Sequence, residues 1–200
     1  MKTVFVCVGI PGAGQLATAS ELAAILKETP ENTVSVFTRN IDVPKRYYDS
    51  NTGSMLQKRH EVYKWIQDAG DTDYAIVDIP FLTAFDRADF IDEIVQAAEK
   101  VGNKEMIIVA IYHERSYRYL YDKYNGDDEK MPKEKQMMLT RYVRRLQQPI
   151  REEGFDLIYR IGGKDSLNRD QLFKMMSKIT DDPFWTVVNS ESSEAADEKE

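Results

Sequence analysis

The residues best placed to do chemistry lie between Val4 and Leu26, where VFVCVG is followed by IPGAG and then by QLATASELAAIL. Three glycines within six residues, Gly9, Gly12 and Gly14, separate an apolar, β-branched run from a helical pattern. Strand, tight loop and helix in that order make a cradle for an anion, because backbone N–H groups converge at the helix N-terminus. The candidate phosphate- or nucleotide-binding residues are therefore Gly9, Gly12, Ala13, Gly14, Gln15 and Leu16. A loop of this kind that transfers phosphate continues with Lys, to neutralise the moving group, and then Ser or Thr, whose hydroxyl holds magnesium. Gln15 and Leu16 stand at those two places. Two readings follow. One is an uncharged cradle in which Gln15 donates a neutral hydrogen bond and Leu16 packs inward over the magnesium place. The other is a tight turn with no ligand.

The elements that must position this loop follow from hydrophobic periodicity. TVSVF (33–37), YAIV (74–77), MIIVAIY (106–112) and FDLIYRI (155–161) read as strands after the first, and MIIVAIY has the continuous apolar character of a central parallel strand. Between them, Ser54 with Gln57 resembles a capping box for a helix running to Gly70, with Met55, Val62, Ile66 and Ala69 on one face. Asp86 is placed to cap a helix whose inner face is Phe90, Ile94, Val95, Ala98 and Val101. Residues 115–124 and 133–147 read as helices about a charged turn at 125–128, and Leu172, Met175, Met176 and Ile179 as the face of a closing helix. Five strands alternating with helices predict an α/β fold with a parallel five-stranded sheet flanked by helices. Ligands of such sheets sit beyond the carboxyl ends of the strands. Those ends carry the glycine loop, Arg39 and Asn40, Asp78, and His113 to Arg115.

Composition narrows the function classes. With 200 residues and no evident linker, the chain reads as one domain over 1–185 with a tail at 186–200. No apolar run reaches the ~20 residues of a membrane span, and the N-terminus passes directly into a patterned loop rather than a secretory signal. One cysteine excludes an internal disulfide, Cys7 reads as a core thiol, and two distant histidines, His60 and His113, disfavour zinc. A cytoplasmic protein with no membrane partner is expected. The net charge of −7 argues against a broad basic nucleic-acid face. The tail from Asn189 onward holds five acids against Lys199, which leaves the remainder of the chain near −3. Within it, Lys45 and Arg46 beside Tyr47 and Tyr48 suit a phosphate backbone with stacked bases, or an ordinary loop. Lys130, Lys133, Lys135, Arg141, Arg144, Arg145 and Arg151 suit a phosphate or nucleic-acid surface, or a solvated face balanced by Glu129, Glu134, Glu152 and Glu153. Leu139, Tyr142, Val143 and Leu146 mark the buried face of the helix that bears them.

VFVCVGIPGAG, the strand-loop TRN, the strand YAIVD and a C-terminal pattern together resemble the small P-loop kinases of the phage and bacterial polynucleotide kinase type, with a degenerate Walker A motif. In that C-terminal pattern Met131-Pro132 opens a helix running to Gln148-Pro149, and Glu153-Gly154-Phe155-Asp156 precedes the last strand. The resemblance covers roughly residues 1–161 and implies a kinase core with a lid near 124–131. It also implies ATP with magnesium, and transfer of the γ-phosphate to a hydroxyl of a polynucleotide end, a nucleoside or a modified base. Carried onto this sequence, the lysine and serine of the loop fall on Gln15 and Leu16. The general base falls on Asn40, which accepts no proton near neutral pH, and a lid arginine falls near Tyr124 or Asn125. Asp78 survives, as a relic of metal binding or as a polar strand end, and Asp42 stands two residues beyond Asn40 as a displaced base or a solvated carboxylate. The resemblance thus implies a pseudokinase-like protein that binds a nucleotide or nucleic-acid phosphate, an active kinase subunit or a second copy of itself. The enzymatic alternative, an ATP-dependent phosphotransferase with a relocated site, would use Asp78, Asp42 and a lysine such as Lys45, and it alone calls for Mg2+. A third possibility is a structural protein with no nucleotide.

Overall fold

The computed structural model describes residues 3–38, 64–65, 68, 70, 72–78, 81–100, 102, 105–126, 130–162, 167–180 and 185. The chain packs as two compact units, Met1–Asp165 and Ser166–Glu200. In the first unit the elements run β1 (Thr3–Val8), α1 (Gln15–Leu26), β2 (Val34–Thr38), β3 (Tyr74–Asp78), α2 (Ala84–Lys100), β4 (Ile107–His113), α3 (Tyr117–Asn125), α4 (Lys133–Arg145) and β5 (Leu157–Ile161). The five strands form one sheet in the order β2-β3-β1-β4-β5, and every neighbouring pair is parallel. The second unit contains α5 (Arg169–Met176), where Trp185 packs edge-on to Phe173 with ring centroids 5.2 Å apart. The helix expected over 54–70 and the acidic tail fall largely or wholly outside the described residues.

β1 is buried throughout, as its covered central position requires. Its alternate residues Val4, Val6 and Val8 join Ala75, Val77, Ile108 and Ala110 in a core closed by Phe90, Ile91 and Ile94 of α2. Ile91 lies in that core while Val95 is exposed, so the buried stripe of α2 is rotated from the one expected. Thr83 rather than Asp86 caps this helix. Its Oγ1 accepts from Asp86 N at 3.1 Å and donates to Asp86 Oδ2 at 2.6 Å. On α4, Leu139 and Tyr142 are buried but Val143 is exposed, which narrows the expected face.

The segment 146–156 ties these elements together. Gln147 N donates to Leu82 O at 2.8 Å and its Oε1 accepts from Ala84 N at 2.7 Å. Asp156 is paired with Ile108 through both main chain and carboxylate, at 2.9 and 2.7 Å. Glu153 is buried against Arg87, which donates Nη2 to Oε1 at 2.8 Å and Nε to Oε2. This corrects the expectation of a solvated Glu153, since a buried carboxylate is tolerated when a guanidinium fork meets it. Gly154 follows with φ 102°, and a Cβ there would stand 2.8 Å from Ile91 Cγ2. Gln147, Glu153, Gly154 and Asp156 therefore each have an architectural task.

Candidate phosphate site

β1 delivers the chain to the carboxyl edge of the sheet between β3 and β4. The glycine loop turns there into α1. Gly12 at φ 83° and Gly14 at φ 113° adopt the left-handed backbone that lets a short loop curl its N–H groups inward. Gly14 is the N-cap of α1 with no side-chain cap bond, and the first turn of α1 contains no acidic residue. The positive end of the helix therefore meets no carboxylate of its own. Ala13 N donates to Ile10 O at 2.9 Å to close the loop, and Thr18 N donates to Gly14 O at 3.1 Å to start the helical ladder. Ile10 and Ala13 are buried with Leu82, Leu120, Met131, Leu139 and Tyr142, so the loop is anchored to α3 and α4 by its apolar side chains.

Gln15 is buried, and its Nε2 donates to Ile10 O at 2.9 Å. The amide at the lysine position thus holds the loop to itself. Leu16 is 47% exposed, which corrects the expectation of an inward-packed leucine. In the first turn of a helix its side chain falls on the solvent side while Gln15 takes the inner one. Tyr124 Oη donates to Pro11 O at 2.7 Å, so α3 reaches back onto the loop at the place where a lid arginine was expected. Burial raises the Tyr124 phenol well above its ordinary value, with Tyr142 adding to the effect.

Two residues after the middle of β4 converge on the same loop. His113 is 1% exposed, and neither Nδ1 nor Nε2 has a hydrogen-bond partner. Burial, helped by the charge of Arg115, lowers its imidazole to about 4, so the ring is neutral at physiological pH. Arg115 Nε donates to Ala13 O at 3.0 Å, and the guanidinium lies 5.3 Å from the ring centroid of Tyr119. Both side chains border Gly14, where a Cβ would stand 3.6 Å from His113 Nδ1 and 3.7 Å from Arg115 Nη2. On the other side of β1, Asp78 pairs in register with Cys7, and burial raises its carboxyl to about 6. The Cys7 thiol is pushed far up by burial and by the Asp78 charge, as befits an inert core residue.

The structure thus joins Gly9, Gly12, Ala13, Gly14 and Gln15 in one loop, with Asp78 at the neighbouring strand end. Asn40, Asp42, Lys45 and Arg46 lie outside the described residues. Among the described residues, no three His, Cys, Asp or Glu side chains are grouped to hold a metal ion. His113 and Arg115 were visible in the sequence only as polar residues after a strand.

Comparison with solved structures bears on the fold. The chain is similar to Chaetomium thermophilum Kti12 in complex with ADP-AlF3, at 16% identity and TM-score 0.64, over 88% of this chain and 96% of that one. It is also similar to a fungal RNA kinase, at 16% identity and TM-score 0.54, over 90% of this chain and 84% of that one. The fold is that of the P-loop kinases. A sugar kinase from Janibacter sp. HTCC2649 shares the P-loop kinase fold at 11% identity and TM-score 0.53, over 88% of this chain and 92% of that one. At such identities the likeness is one of architecture. No family model matches the sequence, and no curated protein does. Among the described residues no helix is long and apolar enough to cross a membrane.

Proposed function

We propose that this chain is a P-loop kinase-fold protein that binds nucleotide or nucleic-acid phosphate and has lost phosphoryl transfer. The observation that carries this reading is Gln15: its buried amide donates to Ile10 O at 2.9 Å, where a working loop would aim an ammonium group at the transferred phosphate. Leu16 supplies no hydroxyl for magnesium, Asn40 supplies no base, and where the resemblance puts a lid arginine stand Tyr124, whose hydroxyl donates to Pro11 O, and Asn125, neither of them cationic. Each preorganised charge removed from a site of this kind costs about 10² to 10³ in rate. Four losses multiply to an upper bound on the order of 10⁸ to 10¹², although such effects are rarely additive.

Binding has support of a different kind. The left-handed glycines and uncapped α1 provide main-chain donors that need no side-chain charge. The unpartnered, buried His113 beside Gly14 gives the loop a polar wall awaiting an acceptor or donor. The residues present fit a polyphosphate; at the magnesium place, Leu16 does not fit a cation. A calorimetric titration with ATP tests the reading. Heat of binding and a raised melting temperature are expected. Absence of both, with magnesium and with EDTA, would favour a scaffold that holds no nucleotide.

A further inference from the structure

Resting on the reading of the glycine loop as a phosphate site, we infer that Arg115, with His113 beside it, supplies the charge the loop lacks and makes it a metal-independent site for the diphosphate of a nucleotide. A phosphate in a backbone cradle is held more tightly by a charged donor beside it, and Gln15 is neutral and occupied by Ile10 O. Arg115 approaches from the end of β4 instead. One edge of its guanidinium is fixed by Nε on Ala13 O at 3.0 Å, and its plane is held near the Tyr119 ring at 5.3 Å. The Nη2 corner lies 3.7 Å from the Cβ position of Gly14, at the start of α1.

A guanidinium so placed carries a fixed charge and a planar fork that matches two phosphate oxygens. His113 closes the same corner. It is 1% exposed, both its nitrogens lack partners, and Nδ1 is 3.6 Å from that same Gly14 position. Two buried ring nitrogens without partners are a standing cost to the fold, and a phosphate oxygen at Gly14 is an acceptor for a proton on Nδ1, the nitrogen that borders that position. Arginine also explains the tolerance of Leu16. A lysine loop shares the phosphate charge with a hydroxyl-bound magnesium ion, whereas a bidentate guanidinium neutralises a phosphate without one.

The test uses the full chain with ADP and inorganic pyrophosphate as probes, titrated in magnesium and in EDTA. Wild type is expected to bind both, with affinities within about threefold of each other in the two media. Arg115→Met is expected to weaken ADP and pyrophosphate at least tenfold, and Arg115→Lys, which keeps a donor for Ala13 O, to fall between. Gln15→Lys in the Arg115→Met background should restore binding, because the charge returns from the other side of the loop. That recovery also shows that the variants are folded. If wild type binds ADP but Arg115→Met and Arg115→Lys bind it equally well, or if EDTA abolishes wild-type binding, the role of Arg115 is overturned while the loop remains a nucleotide site. If wild type binds neither probe in either medium, the phosphate site itself is refuted.

Discussion

Asp78 and His113 flank the loop from opposite strands, and burial moves their protonation in opposite directions. Asp78 is raised from 3.8 to about 6. The folded state therefore holds the proton more tightly, and its burial costs nothing below pH 4 and its full penalty above about pH 6. His113 is lowered from 6.5 to about 4, so its penalty is absent above pH 6.5 and grows as the pH falls toward 4. Between pH 4 and 6 the two slopes oppose each other. Asp78→Asn should raise stability at pH 7 by on the order of 1–3 kcal/mol and should leave a profile that climbs with pH across this window. Chemical denaturation at pH 4.5, 5.5 and 7 checks it, and a variant profile that still falls with rising pH would refute the assignment. Arg87 and Glu153 form a buried charged pair. Arg87→Met strands the carboxylate and should cost about 3–5 kcal/mol, readable in the same denaturation experiment.

The connection from Gln147 to Asp156 belongs to the scaffold of the sheet and its helices. It staples α2, β4 and α4 by main-chain and carboxylate hydrogen bonds, and Gly154 is the point at which no side chain fits. Gly154→Ala combines a left-handed backbone with a 2.8 Å approach to Ile91, and it should destabilise by on the order of 1–3 kcal/mol. A melting temperature equal to wild type would show that this turn relaxes freely. Besides the packing of Leu120 on Ile10 and Ala13, α3 meets the loop through the hydroxyl of Tyr124, which donates to Pro11 O. Tyr124→Phe should cost about 1 kcal/mol and speed hydrogen exchange at residues 10–14 while leaving β1 protected. Exchange unchanged in the loop would place its restraint elsewhere.

The alternation of strands and helices was legible because each element buries a stripe of matching period, and the observed strands fall within two residues of the expected ones. The glycine loop was legible because Gly9, Gly12 and Gly14 stand between an apolar run and a helical pattern, and Gly12 and Gly14 do take the positive φ that such a turn requires. Strand order was not. That β1 lies between β3 and β4 brings Asp78 to one side of the loop and His113 and Arg115 to the other, a convergence that no local pattern records. Leu16 and Glu153 were misread because a short window cannot tell which side of a first helical turn faces solvent, or that a glutamate meets an arginine 66 positions away. The central claim, phosphate held without being moved, is tested most directly by following label from γ-labelled ATP at saturating concentration, with magnesium and a panel of 5′-hydroxyl oligonucleotides and nucleosides. The account predicts bound ATP and no labelled product above the protein-free rate. Steady turnover that disappears in Asp42→Ala would contradict it.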